Sequence, residues 1–297
     1  MTINYIRWNV DPEIVKILGY SLTYYALLFI GGIFLCVYIL NKVFKNENIS
    51  AEKLSKLFLY VVIGIIAGAR LGHCLFYEPG YYLTHPFEIF LPITSTVEGG
   101  YEYSGFHGLA SHGSIIGLVL AVILYSKKSK ESAIKMLDLI AIVAPIGGCF
   151  IRIANLMNSE IIGIPTKLPW AFIFVRVDNL PRHPAQLYEA ISYLIIFGLL
   201  FYLYKTNRDK LQNGFFFGLS VTLVFIARFF IELIKEKQVS FEEQMKLDMG
   251  QWLSIPFILV GIGCIIYGLK KTKNDKLVPV KNNKSGAKTK QNKISSK

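Results

Sequence analysis

Residues 17–41 contain no Asp, Glu, Lys or Arg. As a helix, such a run crosses the roughly 30 Å hydrocarbon core of a bilayer. Charge-free runs recur at 103–126 and 249–269. Four further apolar stretches, about 57–77, 137–157, 187–204 and 213–234, are interrupted or flanked by charge: around Arg70, around Arg152, after Glu189 and around Arg228. This pattern predicts an all-α integral membrane protein with seven transmembrane helices. The first run is too long and too late for a removable signal peptide, and no small-residue cleavage site follows it. Composition agrees: 53% of residues are hydrophobic and 18% charged, whereas globular chains average about 45–50% and about 25%. A disordered chain is excluded, and an ordinary soluble domain is not expected.

The loop charges orient the spans. Segments 42–56, 126–135, 205–212 and 270–297 carry 21 Lys and Arg, while the alternate segments 1–16, 78–102, 158–186 and 235–248 carry eight. The positive-inside rule therefore places the N-terminus outside and the C-terminus in the cytoplasm. Ten Lys against one Asp in 270–297 account for most of the net charge of +12. The basicity belongs to a tail near anionic headgroups, not to a nucleic-acid-binding face. The expected organisation is a membrane domain, 1–269, and a Lys-rich disordered cytoplasmic tail, 270–297. Segments 78–102 and 158–182 are too polar or broken to span. Their apolar pieces HPFEIFLP and LPWAFIFV suit the outer interface.

A charge at mid-bilayer costs at least about 2.5–3.5 kcal/mol on insertion scales, so each intramembrane charge needs a reason. Arg228 has Glu232 one turn later, a pair that is explicable as structure alone. Arg152 begins a helical stripe with Asn155 and Asn158, and Glu160 and Gly163 follow where the helix should end. Amides facing lipid would be unsatisfied, so the stripe points to a polar cavity. A guanidinium with neighbouring amide donors suits phosphate, and a phosphate inside a membrane comes from phospholipid. The residues alone leave two other readings open: an ion pathway in a transporter or channel, and a scaffold whose polar groups glue helices.

His112, followed by Gly113, has the side chain best suited to proton transfer near neutrality. His107 lies off its face, the other histidines are isolated, and no metal-ligand spacing occurs, so no metal is expected. Cys36, Cys74, Cys149 and Cys264 lie far apart in apolar surroundings and read as buried hydrophobes. There is no GxSxG, Walker-type or dinucleotide motif, so serine-triad hydrolysis and nucleotide use lack support.

Seven blocks, in order, carry a more specific signal. They are GARLGHCLFY at 68–77, SHGSIIG at 111–117, IRIANLMNSEIIG at 151–163, GIPTKLPWAFIF at 163–174, RHPAQLYE at 182–189, ARFFIE at 227–232 and MGQWLSIP at 249–256. Together they resemble the prolipoprotein diacylglyceryl transferases of the bacterial inner membrane, whose signature is G-R-x-G-N-x-x-N-x-E-x-x-G. The resemblance implies a cofactor-free, multi-pass enzyme, expected to be monomeric. Such an enzyme moves the diacylglyceryl group of phosphatidylglycerol onto the lipobox cysteine of a prelipoprotein, giving a thioether and glycerol 1-phosphate. It implies catalytic roles for His112, Arg152 and Arg228. It implies substrate contacts from both arginines together with Tyr25, Asn155, Glu160, Gly163 and Glu232. The chain departs from the family pattern at Ile151, Ala154, Ser114, Val224-Phe225 and around Tyr25, where Tyr24 and Ala26 stand for Trp and Gly.

Overall fold

A computed structural model describes residues 4–17, 19–76, 78–91, 93–95, 100–103, 110–237 and 247–271. His107 and the expected tail beyond residue 271 lie outside the described residues. The chain is predominantly helical. Among the described residues, six helices are long and apolar enough to cross a membrane: α1 (Tyr24–Asn46), α2 (Ala51–Phe76), α6 (Ala133–Asn158), α7 (Ala185–Asn207), α8 (Phe215–Glu232) and α9 (Met249–Lys271). The remaining helices are α3 (Pro79–Thr84), α4 (Phe87–Phe90) and α5 (Ser111–Ser129).

The seventh expected span, 103–126, corresponds to α5, which begins only at Ser111. Ser111, His112 and Ser114 at one end and Lys127, Lys128 and Ser129 at the other make it less apolar than the six. It pairs closely with α2. A Cβ added to Gly68 or Gly113 would overlap the facing helix's backbone, so small residues permit this approach.

The charge-free run 17–41 is not one helix, which corrects the expected boundary. Its start forms a hairpin, β2 (Glu13–Ile17) with β3 (Tyr20–Thr23), turning at Gly19, whose φ of +84° suits glycine. Thr23 then caps α1, its hydroxyl oxygen accepting the Ala26 N–H at 3.2 Å. Absence of charge fixes apolarity, not helical backbone. The purely α expectation is corrected in the same sense, because small sheets decorate the helices. β1 (Ile6–Trp8) runs parallel to β6 (Phe172–Phe174), which pairs with β7 (Pro181–Arg182), and β4 (Ile93–Ser95) pairs with β5 (Tyr101–Tyr103). Segment 158–182 is thus a folded cap with its own core of Ile162, Phe172 and Phe174 against Leu156.

Helix α6 is central and packs on α1, α7 and α8. Met136, Leu139 and Ile142 are fully buried against Phe44, Leu200 and Phe216. Asp138 of α6 accepts the Gly214 and Phe217 N–H groups, both at 2.7 Å, and so satisfies the donors that open α8. In the short α1–α2 connection, Glu47 binds Arg208 at 2.8 Å and Lys135 at 2.9 Å. Burial opposes the Glu47 charge, but hydrogen bonds from Arg208 and Lys135 hold its carboxyl below the usual range. Its stabilisation is present above that range and is lost as pH falls through the lowered value.

Short connections at 47–50, 130–132 and 208–214 lie at this end of the bundle, and the long ones lie at the other. The start of α1, the end of α6, the start of α7, the end of α8 and the starts of α5 and α9 therefore converge.

Candidate active site

Arg152, in the penultimate turn of α6, forms an ion pair through Nε with Glu189 of α7, and its Nη1 donates to Asn155 Oδ1 at 3.1 Å. Asn155 donates in turn to Glu160 Oε1 at 2.6 Å, and Asn158 reaches the same oxygen at 3.5 Å. The Arg-Asn-Asn-Glu stripe is one hydrogen-bonded unit. It exists because Ser159 takes a left-handed φ of 54°, ending α6 and turning Glu160 back onto the helix. Gln186 fixes that turn by donating to the Glu160 carbonyl at 2.5 Å. Tyr25, in the first turn of α1, lies within electrostatic reach of Glu160 and Arg152.

Glu189 is completely buried and also binds Lys235 Nζ, at 2.6 Å. Lys235 simultaneously binds Glu232 at 3.1 Å. Glu232 faces Arg228 Nε at 4.0 Å, too long for a hydrogen bond. Among the described residues that Nε is buried without an acceptor. The result is a continuous cluster, Arg152–Glu189–Lys235–Glu232–Arg228, with three cations on two carboxylates and Glu160 one amide away. Arg152 and Arg228, from different helices, are linked through it.

Glu189, which closes the RHPAQLYE block, and Lys235, which lies in none of the seven blocks, join the halves of the site. One signal was available: Arg228, Glu232 and Lys235 are spaced four and three apart, which places them on one helical face. Lys235 nevertheless lies beyond α8, and strand-like pairing positions it. Gly163 bridges to Lys235, with the Ile164 N–H on Ile234 O at 2.9 Å and the Glu236 N–H on Ile162 O at 3.1 Å. A Cβ at Gly163 would stand 2.5 Å from His183 Cβ and 2.7 Å from the His183 and Ile234 carbonyl oxygens. The role of Gly163 is therefore close approach. Gly163→Ala is expected to destabilise by about 1–3 kcal/mol, as overpacking does, and to slow the reaction by displacing Lys235. Thermal unfolding and initial rates on one preparation check both.

Burial lowers the His183 pKa, so the neutral ring adds no charge to the cluster at pH 7. On the far side, Gly250 lets the first turn of α9 meet Glu232, because a Cβ there would lie 2.6 Å from the carboxyl carbon. The positive end of α9 thereby supports that carboxylate. His112 stands in the first turn of α5, at the same end of the bundle; its side chain lies outside the described residues.

The contacts of Arg70 within the described residues are made away from this cluster. Arg70 donates to the carbonyls of Ile89, at 3.2 Å, and Glu88, and faces the Tyr82 ring at 4.9 Å. It ties α3 and α4 to α2.

The sequence is similar to those of known proteins. The profile described as "Prolipoprotein diacylglyceryl transferase" matches residues 12–267. The chain belongs to the prolipoprotein diacylglyceryl transferase family. It is 51% identical over 268 residues to a phosphatidylglycerol–prolipoprotein diacylglyceryl transferase of Bacteroides fragilis, covering 90% of this chain and 97% of that one. Proteins of the same name from Tolumonas auensis and Porphyromonas gingivalis are 44% and 41% identical over 265 and 289 residues. Those alignments cover 89% and 92% of this chain and 98% of each relative.

Within the family fold, the departures have local accounts. Ala154 is fully buried, and the Ser114 hydroxyl bonds back to the Ala110 carbonyl at 3.3 Å. Phe225 stacks on Phe257 with ring centres 4.4 Å apart, binding α8 to α9. None of the three changes the charged cluster. Among the described residues, no group of three His, Cys, Asp or Glu forms a metal cluster.

Proposed function

We propose that this chain transfers the diacylglyceryl group of phosphatidylglycerol to the lipobox cysteine thiol of a prelipoprotein. The observation that carries the site assignment is the buried Arg228 Nε, left without an acceptor among the described residues although it lies in a cluster of charged groups. Such a group calls for an anionic acceptor.

In the proposed reaction the thiolate sulfur attacks the glycerol carbon that bears phosphate. A C–S bond forms as the C–O bond breaks, and the electron pair leaves on glycerol 1-phosphate. Arg152 and Arg228 bind the phosphate and stabilise its growing charge, an effect strongest in a site that excludes water. Asn155 and Glu160 hold Arg152, and Glu232 orients Arg228. Tyr25 lines the Arg152 side. The thiol proton goes to His112, or to solvent water before the thiolate engages the lipid, where arginine lowers the thiol's pKa from about 8.5. No step uses a cofactor.

The reading extends to topology. With α5 as the seventh span, the positive-inside count puts the site at the outer face of the bacterial inner membrane, with the N-terminus outside. The Lys-rich tail is then cytoplasmic, and the protein acts as a monomer.

The nucleophile comes with the substrate. The four cysteines are free, and their joint replacement by Ser or Ala is expected to preserve transfer. Loss of chemistry in a folded cysteine-free variant would contradict the mechanism. The activity itself is tested by incubating purified protein with phosphatidylglycerol and a lipobox peptide. Mass spectrometry should find a diacylglyceryl adduct on the peptide cysteine; solute flux in liposomes without an adduct would support a transporter instead.

A further inference from the structure

A second lipid-facing feature lies at the opposite end of the bundle from the arginine cluster. Where α2 begins and α5 ends, a groove of about 500 Å³ is lined by Lys53, Lys56, Tyr60, Tyr125, Lys128 and Ser129. The Tyr60 and Tyr125 rings meet edge to face at 5.8 Å, and Tyr125 is fixed by donating to the Lys53 carbonyl at 3.0 Å. Lys53, Lys56 and Lys128 all line this same groove. Lys53 is paired with Glu131 at 2.5 Å and Lys56 with Glu52 at 2.7 Å. Among the described residues Lys128 has no carboxylate partner. Further along the same helices, Leu59, Ile63, Leu120 and Leu124 are exposed.

We propose that this groove binds one anionic phospholipid, its phosphate on Lys128 between Lys53 and Lys56 and its glycerol and acyl portion against the tyrosines. A groove lined by two aromatic rings and three lysines matches an amphiphile that carries both apolar and anionic parts. A zwitterionic lipid lacks the net charge to engage Lys128. The inference rests on the proposed topology only for the name of the leaflet, the cytoplasmic one.

The test uses the full-length protein in nanodiscs containing diazirine-bearing phosphatidic acid or phosphatidylcholine, with crosslinked peptides mapped by mass spectrometry. The anionic probe should label the Tyr60 and Tyr125 peptides in clear excess over the zwitterionic one. Lys128→Gln should reduce that labelling by about fivefold, the scale of one lysine at an anionic surface. Lys53→Gln/Lys56→Gln/Lys128→Gln should bring it to the phosphatidylcholine level. Lys128 is exposed and unpaired among the described residues, so its single substitution keeps the test valid should the triple variant unfold. Equal labelling by both probes, or unchanged labelling in folded Lys128→Gln, would overturn the proposal. Displacement by millimolar inorganic phosphate would mark a simple anion site and also overturn it. None of these readouts depends on transferase activity, so the groove and the active site succeed or fail separately.

Discussion

Arg152→Lys is expected to slow diacylglyceryl transfer by roughly 10²-fold or more, the scale of losing one preorganised donor to developing charge. The guanidinium holds Glu189 through Nε and Asn155 through Nη1 and also bonds the Tyr193 hydroxyl, and the proposal gives its remaining planar N–H groups to a phosphate. An ammonium keeps the charge and can still neutralise Glu189, but its donors radiate from one atom and cannot span three partners. Stability should therefore change little while turnover collapses. Initial rates and thermal unfolding, measured on the same preparation, separate the two. Near-normal turnover would reduce Arg152 to a counter-ion.

Glu189→Leu is expected to act in the other direction, on the fold before the chemistry. It removes the carboxylate shared by Arg152 and Lys235 and leaves both cations buried. Breaking a buried pair by deleting one partner costs about 3–5 kcal/mol. The double variant Glu189→Leu/Lys235→Met offsets the lost carboxylate but takes from Glu232 its 3.1 Å partner, so it should stay destabilised relative to the parent and remain inactive. Thermal unfolding in detergent checks the order of stabilities. A single variant as stable as the parent would show that the pair is dispensable.

These expectations rest on features of unequal legibility. Charge-free and nearly charge-free runs reveal spans because a charge in lipid is costly, and six of the seven appear as long apolar helices. The Arg152-Asn155-Asn158-Glu160 stripe is equally readable, since each member lies within about one turn of the next. The hairpin before Tyr24 was hidden because apolar residues satisfy strand and helix alike; only Gly19 and Thr23 mark the turn and the cap. Arg70, Arg152 and Arg228 are alike as sequence, and only the fold separates Arg70, whose donors go to the backbone carbonyls of Ile89 and Glu88. Glu189 and Lys235 meet across 46 positions of sequence, and no local periodicity encodes that contact. It depends on the close approach of Gly163 to the chain around Lys235.

The central claim is that Arg228, with its buried Nε lacking an acceptor, receives the substrate's phosphate. Titrating glycerol 1-phosphate into the purified protein and following the phosphorus-31 resonance tests this directly. The parent protein should give a saturable shift, and Arg228→Gln should abolish it while the helical content and melting temperature persist. Equal saturable binding in both proteins would contradict the claim.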